Sequence, residues 1–411
     1  MSHRSVARVI FAFLAIGVCL LLMQSAARIG FSRLLSRYAV SANSLPAADQ
    51  AIRTTPDDPD AHRARGIVLT RSRNFTDAEA SLETAATLRP GDAGLWLALG
   101  NTREDLGDRA GALAAFNQAV NAAPYYGQTH WQRGNLFLRL ERYDEAIADL
   151  RQAATSDRRL LPNVIDLMWG LTGGSAKRTE ELLQINNDQD RLEFVRFLAR
   201  KGKGVEVAEQ ILSLNASLSE QNKEELIRLL VASRKFRDAF SLWKGSAAAA
   251  STGGLVNGGF EEPLGLKNSS FGWLVAEARA KVRFAVDVSQ RFSGNKSLQI
   301  TFNGEWDPAL LSQTIVLEPG RYRITFAAQT KDLVTGGPLR MAVANMTSNL
   351  TIGSSEAFPP ASESWQVLGV EFTMPGDAEA VEIRLARDTC VTSPCPIFGV
   401  VWLDEFTIQK L

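Results

Sequence analysis

Gly91–Pro124, GDAGLWLALGNTREDLGDRAGALAAFNQAVNAAP, is one period of a repeat, and its spacing decides the architecture of the N-terminal half. Gly100 has counterparts at Gly66 and Gly134, each 34 residues away. The same interval links Ala78, Ala112 and Ala146; Leu82, Phe116 and Leu150; Ala85, Ala119 and Ala153; and Pro56, Pro90 and Pro124. A fixed period of this length is the signature of stacked supersecondary units. The residue types say which kind. Glycine and alanine let two helices approach, leucine or phenylalanine fills the groove between them, and proline stops the second helix. Asp77, Asp108 and Asp144 lie beside the turns and are candidate helix caps.

This pattern resembles the tetratricopeptide repeat. The resemblance covers three repeats over residues 59–158, with Ala51 and Pro56 matching the end of a preceding half-repeat, so that repeats occupy 31–158. It implies a solenoid that binds a protein or peptide partner. The large aromatic position of the family carries Trp96 in the middle repeat only; His62 and His130 stand there in the others and read as packing replacements. From 159 to 244 the chain remains helical in pattern (LEFVRFLA, VEVAEQIL, EELIRLLV) while the register fades, which suggests degenerate repeats or a capping helical segment.

Outward from the repeats, Val9–Ala27 carries no charge. Nineteen residues make roughly 28 Å of helix, enough to cross a bilayer core. A signal anchor over residues 1–30 and a signal peptide cut after Ser25-Ala26-Ala27 both fit; the length favours the anchor. Arg4 and Arg8 on one flank against Arg28, Arg33 and Arg37 on the other leave orientation nearly undecided.

Composition bounds the function. Lys plus Arg and Asp plus Glu both number 45, a balance that argues against nucleic acid. Three histidines and no nucleophile motif leave little material for catalysis, so a non-enzymatic protein is expected. Cys390 and Cys395 have no nearby histidine to complete a zinc site. A disulfide is favoured over two free thiols, and it places this end in an oxidising compartment.

Gly245–Gly254, GSAAAASTGG, reads as a linker, and beyond it the period becomes two. Leu298, Ile300 and Phe302 alternate, as do Tyr322, Ile324 and Phe326, then Leu368, Val370 and Phe372, then Val381, Ile383 and Leu385. About ten strands over 255–411 predict an antiparallel β-sandwich or jelly roll. The fold class expected is therefore multidomain α + β: an N-terminal transmembrane helix, an α-solenoid and a sandwich. In the last strand, parity puts Asp404 on one face with Val400, Trp402 and Phe406, hence buried.

The ordered set Asn257-Gly-Gly-Phe-Glu261, Gly272-Trp273, Ser293-Gly-Asn-Lys-Ser-Leu298, Gln313–Gly320, Trp365 and Trp402-Leu-Asp-Glu-Phe406 resembles carbohydrate-binding modules with a galactose-binding-like jelly roll. That resemblance implies a polysaccharide ligand and a structural calcium ion held by Glu261 and Asp404, with carbonyls of the Asn295–Lys296 turn and with Glu262 as a substitute for Glu261. A hydrogen-bonded Asp404 without metal is the alternative. An aromatic platform is drawn from Trp306, Trp273 and Trp365, with Asp307 and Gln313 nearby; Trp273 and Trp365 also match framework positions. Arg323, Arg340 and Arg384 would suit an acidic glycan or form a solvated face. The layout is similar to tetratricopeptide proteins of bacterial exopolysaccharide synthesis. It implies a sugar-polymer role, and with the cysteine pair and the C-terminal domain the expectation is a single-pass inner-membrane protein with its bulk in the periplasm, contacting a polysaccharide and a protein partner. A scaffold whose sandwich binds no sugar is the second hypothesis.

Overall fold

The structure, a computed structural model, describes residues 3–245, 254–264, 271–275, 282–304, 311–390 and 395–411. The chain forms two compact units that divide between Ile185 and Asn186.

The first unit is helical. α1 (His3–Ala42) and α2 (Leu45–Thr54) precede three hairpins: α3 (Pro59–Arg71) with α4 (Phe75–Leu88), α5 (Ala93–Asp105) with α6 (Arg109–Ala122), and α7 (Gly127–Arg139) with α8 (Tyr143–Ser156). α9 (Leu161–Leu171) and α10 (Ala176–Leu183) follow. The periodic glycines sit where one helix of a hairpin meets the bulky residue of the other. A Cβ on Gly66 would lie 2.6 Å from Leu82, on Gly100 2.4 Å from Phe116, and on Gly134 3.1 Å from Leu150. The periodic alanines are fully buried. Capping divides more finely than the sequence suggested. Asp108 caps α6 through the Gly111 N–H, whereas Asn74 caps α4. Asp77 and Asp144 instead occupy the first turns of α4 and α8, where a carboxylate complements the helix dipole.

α1 continues without a break from the apolar stretch into the solenoid. Ser32, 34 residues before Gly66, is buried and donates to the Ala51 carbonyl at 3.1 Å; Ala39 packs with Ala48 and Val68. The second half of α1 therefore serves as the first helix of a whole repeat with α2, where the sequence showed only half of one. Farther back, Phe13, Leu14, Leu21 and Leu22 are each more than half exposed, and no part of the apolar window is buried. By length and composition this helix can cross a membrane or act as a signal sequence.

The second unit joins four helices to a sandwich. α11 (Asp188–Arg200), α12 (Gly204–Leu212), α13 (Glu220–Ala232) and α14 (Phe236–Lys244) come first. Residues 246–253 of the expected linker lie outside the described residues, but α14 itself is docked. Phe240 meets Phe271 edge to face at 5.1 Å, and the Arg237 N–H donates to Glu379 at 3.1 Å.

The strands are β1 (Leu274–Val275), β2 (Val282–Asp287), β3 (Ser297–Asn303), β4 (Leu311–Val316), β5 (Gly320–Thr335), β6 (Leu339–Asn345), β7 (Thr351–Ser354), β8 (Gln366–Met374), β9 (Ala380–Arg387) and β10 (Ile397–Lys410). They form two antiparallel sheets, β1-β4-β9-β6-β7 and β2-β3-β10-β5-β8, around one core that includes Phe302, Ile324, Phe326, Ile383 and Leu403. All the alternating runs read from the sequence lie in strands.

Candidate functional site

The opening and closing segments of the sandwich are built against each other. Gly258 accepts from the Phe406 N–H at 2.9 Å, and a Cβ on Gly258 would stand 2.1 Å from the Phe406 carbonyl oxygen, so only glycine fits. Phe260, Trp273 and Phe406 form an aromatic cluster with centroids 4.8–5.9 Å apart. The Trp273 indole donates to the Asn257 carbonyl at 3.1 Å. Trp273 is a framework residue, not a platform. Gln313 is as well: it shares the inward parity of Leu311 and Ile315, is fully buried, and ties both halves of its amide to the Val256 backbone.

Parity in β10 breaks at Glu405, which has φ 49°, and register slips between Asp404 and Thr407. Phe406 consequently joins Val401 and Leu403 in the core, while Trp402 and Asp404 point from the opposite face. Asp404 is fully buried there, as expected, with Trp402 on its face as parity assigned but without Phe406. Its carboxylate accepts from the N–H groups of Phe292 at 2.8 Å, Ser293 at 3.0 Å and Glu405 at 2.7 Å. Burial still pushes its carboxyl above the ordinary value. Glu261 accepts from the Asn295 N–H at 2.5 Å and the Lys296 N–H at 3.1 Å, which hold its carboxyl below the usual range. Gly294, at φ +58°, leaves room: a Cβ there would lie 2.1 Å from the Glu261 oxygen.

Glu261 and Asp404 both lie close to Gly259. Two carboxylates, with no basic side chain paired to Asp404 among the described residues, suit a hard cation in kind. The Asn295–Lys296 turn, however, offers Glu261 its N–H groups, not the carbonyls anticipated, and Glu262 is exposed. Among the described residues no three His, Cys, Asp or Glu side chains cluster as metal ligands.

What Asp404 holds is the 288–296 loop, laid over the outer face of the β10 sheet. On that face Trp402 lies in register with Gln299 on one side and Gln329 on the other. Its indole donates to Asp287 at 2.9 Å. Burial works to raise the Asp287 carboxyl, yet hydrogen bonds from Ser289 and Trp402 hold it at about 2. Beside Trp402 a hollow of about 410 Å³ is lined by Gln290, Gln329, Lys331, Asp332, Ser362 and Glu363 among others. The Gln329 side-chain oxygen Oε1 is buried and has no hydrogen-bond donor among the described residues. Two residues beyond Gln290 and Glu363 respectively, Phe292 and Trp365 face each other with centroids 6.0 Å apart; Phe292 is 44% exposed. Hydroxyl-matching amides and carboxylates beside part-exposed rings are the chemistry that holds a pyranose.

Of the aromatic platform candidates read from the sequence, Trp365 stands two residues beyond Glu363 of this hollow's lining, and Trp402 of the closing motif lines it directly. Trp306 and Asp307 lie outside the described residues. Arg323 is on the β5–β8 side and pairs with Glu371 at 3.2 Å, while Arg340 and Arg384 belong to the other sheet and pair with Asp388 and Glu382. The three do not form one cationic face. Cys390 and Cys395 are joined as a disulfide.

In the solenoid, position 62/96/130 has one recurring task. His62 Nε2, Trp96 Nε1 and His130 Nε2 lie 2.7, 2.8 and 2.9 Å from the carbonyls of Pro56, Pro90 and Pro124. His130 is buried, and its Nδ1 lies 2.9 Å from Asp149, which also accepts from Arg133 at 2.6 Å. Asp149 holds the His130 imidazole above its ordinary value.

Comparison with known proteins accords with these two halves. Residues 41–93 and 97–160 match the family described as tetratricopeptide repeat, and residues 253–390 match the family described as carbohydrate binding domain. Among solved structures, the chain is similar to the crystal structure of MamA, at 15% identity over 39% of this chain and 90% of that one, TM-score 0.32. It is also similar to YrrB, a tetratricopeptide protein with an unusual peptide-binding site, at 18% identity over 38% and 84%, TM-score 0.31. No curated protein matches.

Proposed function

We propose that this chain is a membrane-anchored, non-enzymatic adaptor. α1 anchors it in a bacterial inner membrane, the solenoid holds a protein or peptide partner, and the sandwich binds a polysaccharide during exopolysaccharide or envelope assembly. Both matched domain types are non-catalytic kinds, one suited to protein partners and the other to carbohydrate. The Cys390–Cys395 disulfide supports a periplasmic location for the bulk of the chain.

One observation carries the glycan reading: the hollow beside Trp402, with an unsatisfied Gln329 acceptor and the Phe292–Trp365 pair near it. Calorimetry of the full-length protein in detergent against a panel of envelope polysaccharides tests it. Trp365→Ala is expected to weaken binding roughly tenfold, as loss of about 1.4 kcal/mol of contact requires. A panel without a single binder removes the glycan half and leaves a protein-interaction scaffold.

The same reading includes a structural calcium ion on Glu261 and Asp404, whose charge would relieve the burial cost of Asp404. Added calcium at 100 times its dissociation constant should stabilise the sandwich by about 2.7 kcal/mol. Thermal unfolding that is identical in calcium and in chelator would leave the amide-bonded state as the whole account.

A further inference from the structure

Two hollows flank α1 immediately beyond its apolar stretch. One, of about 680 Å³, is lined by Arg33, Arg37, Arg63 and Arg71 with Asp60 as its only acid. The other, of about 450 Å³, holds Arg28, Arg33 and Arg89 beside Asp57 and Asp58. The acids are partly committed: Asp60 pairs with Arg89 at 3.1 Å, and Arg33 lies 3.9 Å from Asp60. Arg37 and Arg63 donate no hydrogen bond among the described residues, and both are exposed. On the first side, cationic charge is in excess.

The height of these groups follows from helix geometry. Because α1 is unbroken, Arg28 stands one residue past Ala27, and Arg33 and Arg37 stand roughly 9 and 15 Å beyond it. The headgroup layer extends roughly 5–8 Å beyond the hydrocarbon core, and fixed charges act over about another 8 Å at physiological salt. α3 lies alongside, with Asp60 level with Arg33 and Arg71 donating to the Val40 carbonyl, so Arg63 falls between those levels. The arginines thus occupy the zone where a lipid phosphate is in reach.

We propose that this arginine collar docks the first hairpins of the solenoid on an anionic phospholipid surface, which fixes the tilt of α1. The charge excess and the short, stiff path from the apolar stretch favour a bilayer over an acidic peptide as the occupant. The proposal rests on the anchored reading of α1.

Full-length protein with Cys19→Ser and a dye at Ala42→Cys would be reconstituted in nanodiscs of phosphatidylcholine, with or without phosphatidylglycerol. Energy transfer to a headgroup acceptor reports the docked state. Transfer should be stronger with phosphatidylglycerol and should fall to the neutral level at high salt. Arg37→Gln with Arg63→Gln should lower the docked-to-undocked ratio roughly 30-fold, at about fivefold for each basic group near the surface. Equal transfer in both discs overturns the headgroup contact while leaving the anchor intact. Equal transfer together with polyglutamate binding that the double variant abolishes assigns the hollow to an acidic peptide. Failure to co-elute with either disc overturns the anchor, and this proposal with it.

Discussion

The solenoid and the sandwich reach their side-chain placements by opposite routes. In the solenoid, each contact is fixed by its distance along the chain: Gly66 meets Leu82, Gly100 meets Phe116 and Gly134 meets Leu150, sixteen residues apart every time. In the sandwich, contacts join distant segments: Asp404 is held by Phe292 and Ser293, and Gly258 by Phe406. A damaged repeat should therefore weaken one hairpin and its neighbours. A damaged sandwich contact should loosen the ends of the domain and the binding face together.

The sharpest way to break that comparison is at Asp404. Asp404→Ala would strand three part-buried N–H groups, each at about 1 kcal/mol, so a loss of about 3 kcal/mol or somewhat more in the sandwich transition is expected on chemical unfolding. Glycan affinity should fall with it, because the Phe292 backbone loses its anchor. A stable variant with intact affinity would show the loop to be held elsewhere. Next comes Gly258→Ala, whose Cβ meets a backbone carbonyl that cannot yield; about 3 kcal/mol is expected, against about 2 kcal/mol for Gly100→Ala, where the Phe116 ring can turn. Equal costs, read by urea unfolding, would erase the proposed contrast between rigid distant contacts and adaptable local ones.

The smallest effect concerns pH and confines itself to the third hairpin. His130 lies between two acceptors, Asp149 and the Pro124 carbonyl, so its charged form is favoured in the fold. Its contribution is fully present below the unfolded imidazole value of about 6.5 and is lost as pH rises through the raised folded value. Hydrogen exchange of α7 and α8 should quicken over that rise, and His130→Gln should flatten the profile. An unchanged profile would mean that Arg133 alone satisfies Asp149.

The same contrast explains what could be read from the chain. The period of 34 located α3 to α8 closely, because each hairpin repeats its spacing within the sequence. It concealed α1, whose apolar stretch masked Ser32 and Ala39 as repeat positions. Alternation located the strands, but it does not say which strands are neighbours. Gln290, Phe292, Gln329 and Trp402 meet only through the pairing of β10 with β5 and the loop that Asp404 holds, so no local pattern marks them as a set. The Glu405 bulge also reversed the parity that predicted Phe406 beside Asp404. Trp402 stands in the closing motif, and only the sheet register sets it between Gln299 and Gln329.

The unbroken α1 has a geometric consequence of its own. Each residue added or removed between Ala27 and Ser32 would turn the solenoid by about 100° and shift it by about 1.5 Å along the helix axis, relative to whatever grips the apolar end. The chain thus carries a phase angle between its apolar N-terminal end and the surfaces of the solenoid. Four added residues nearly restore that angle while two nearly invert it, so insertion length, not composition, would govern how such a variant faces its partners.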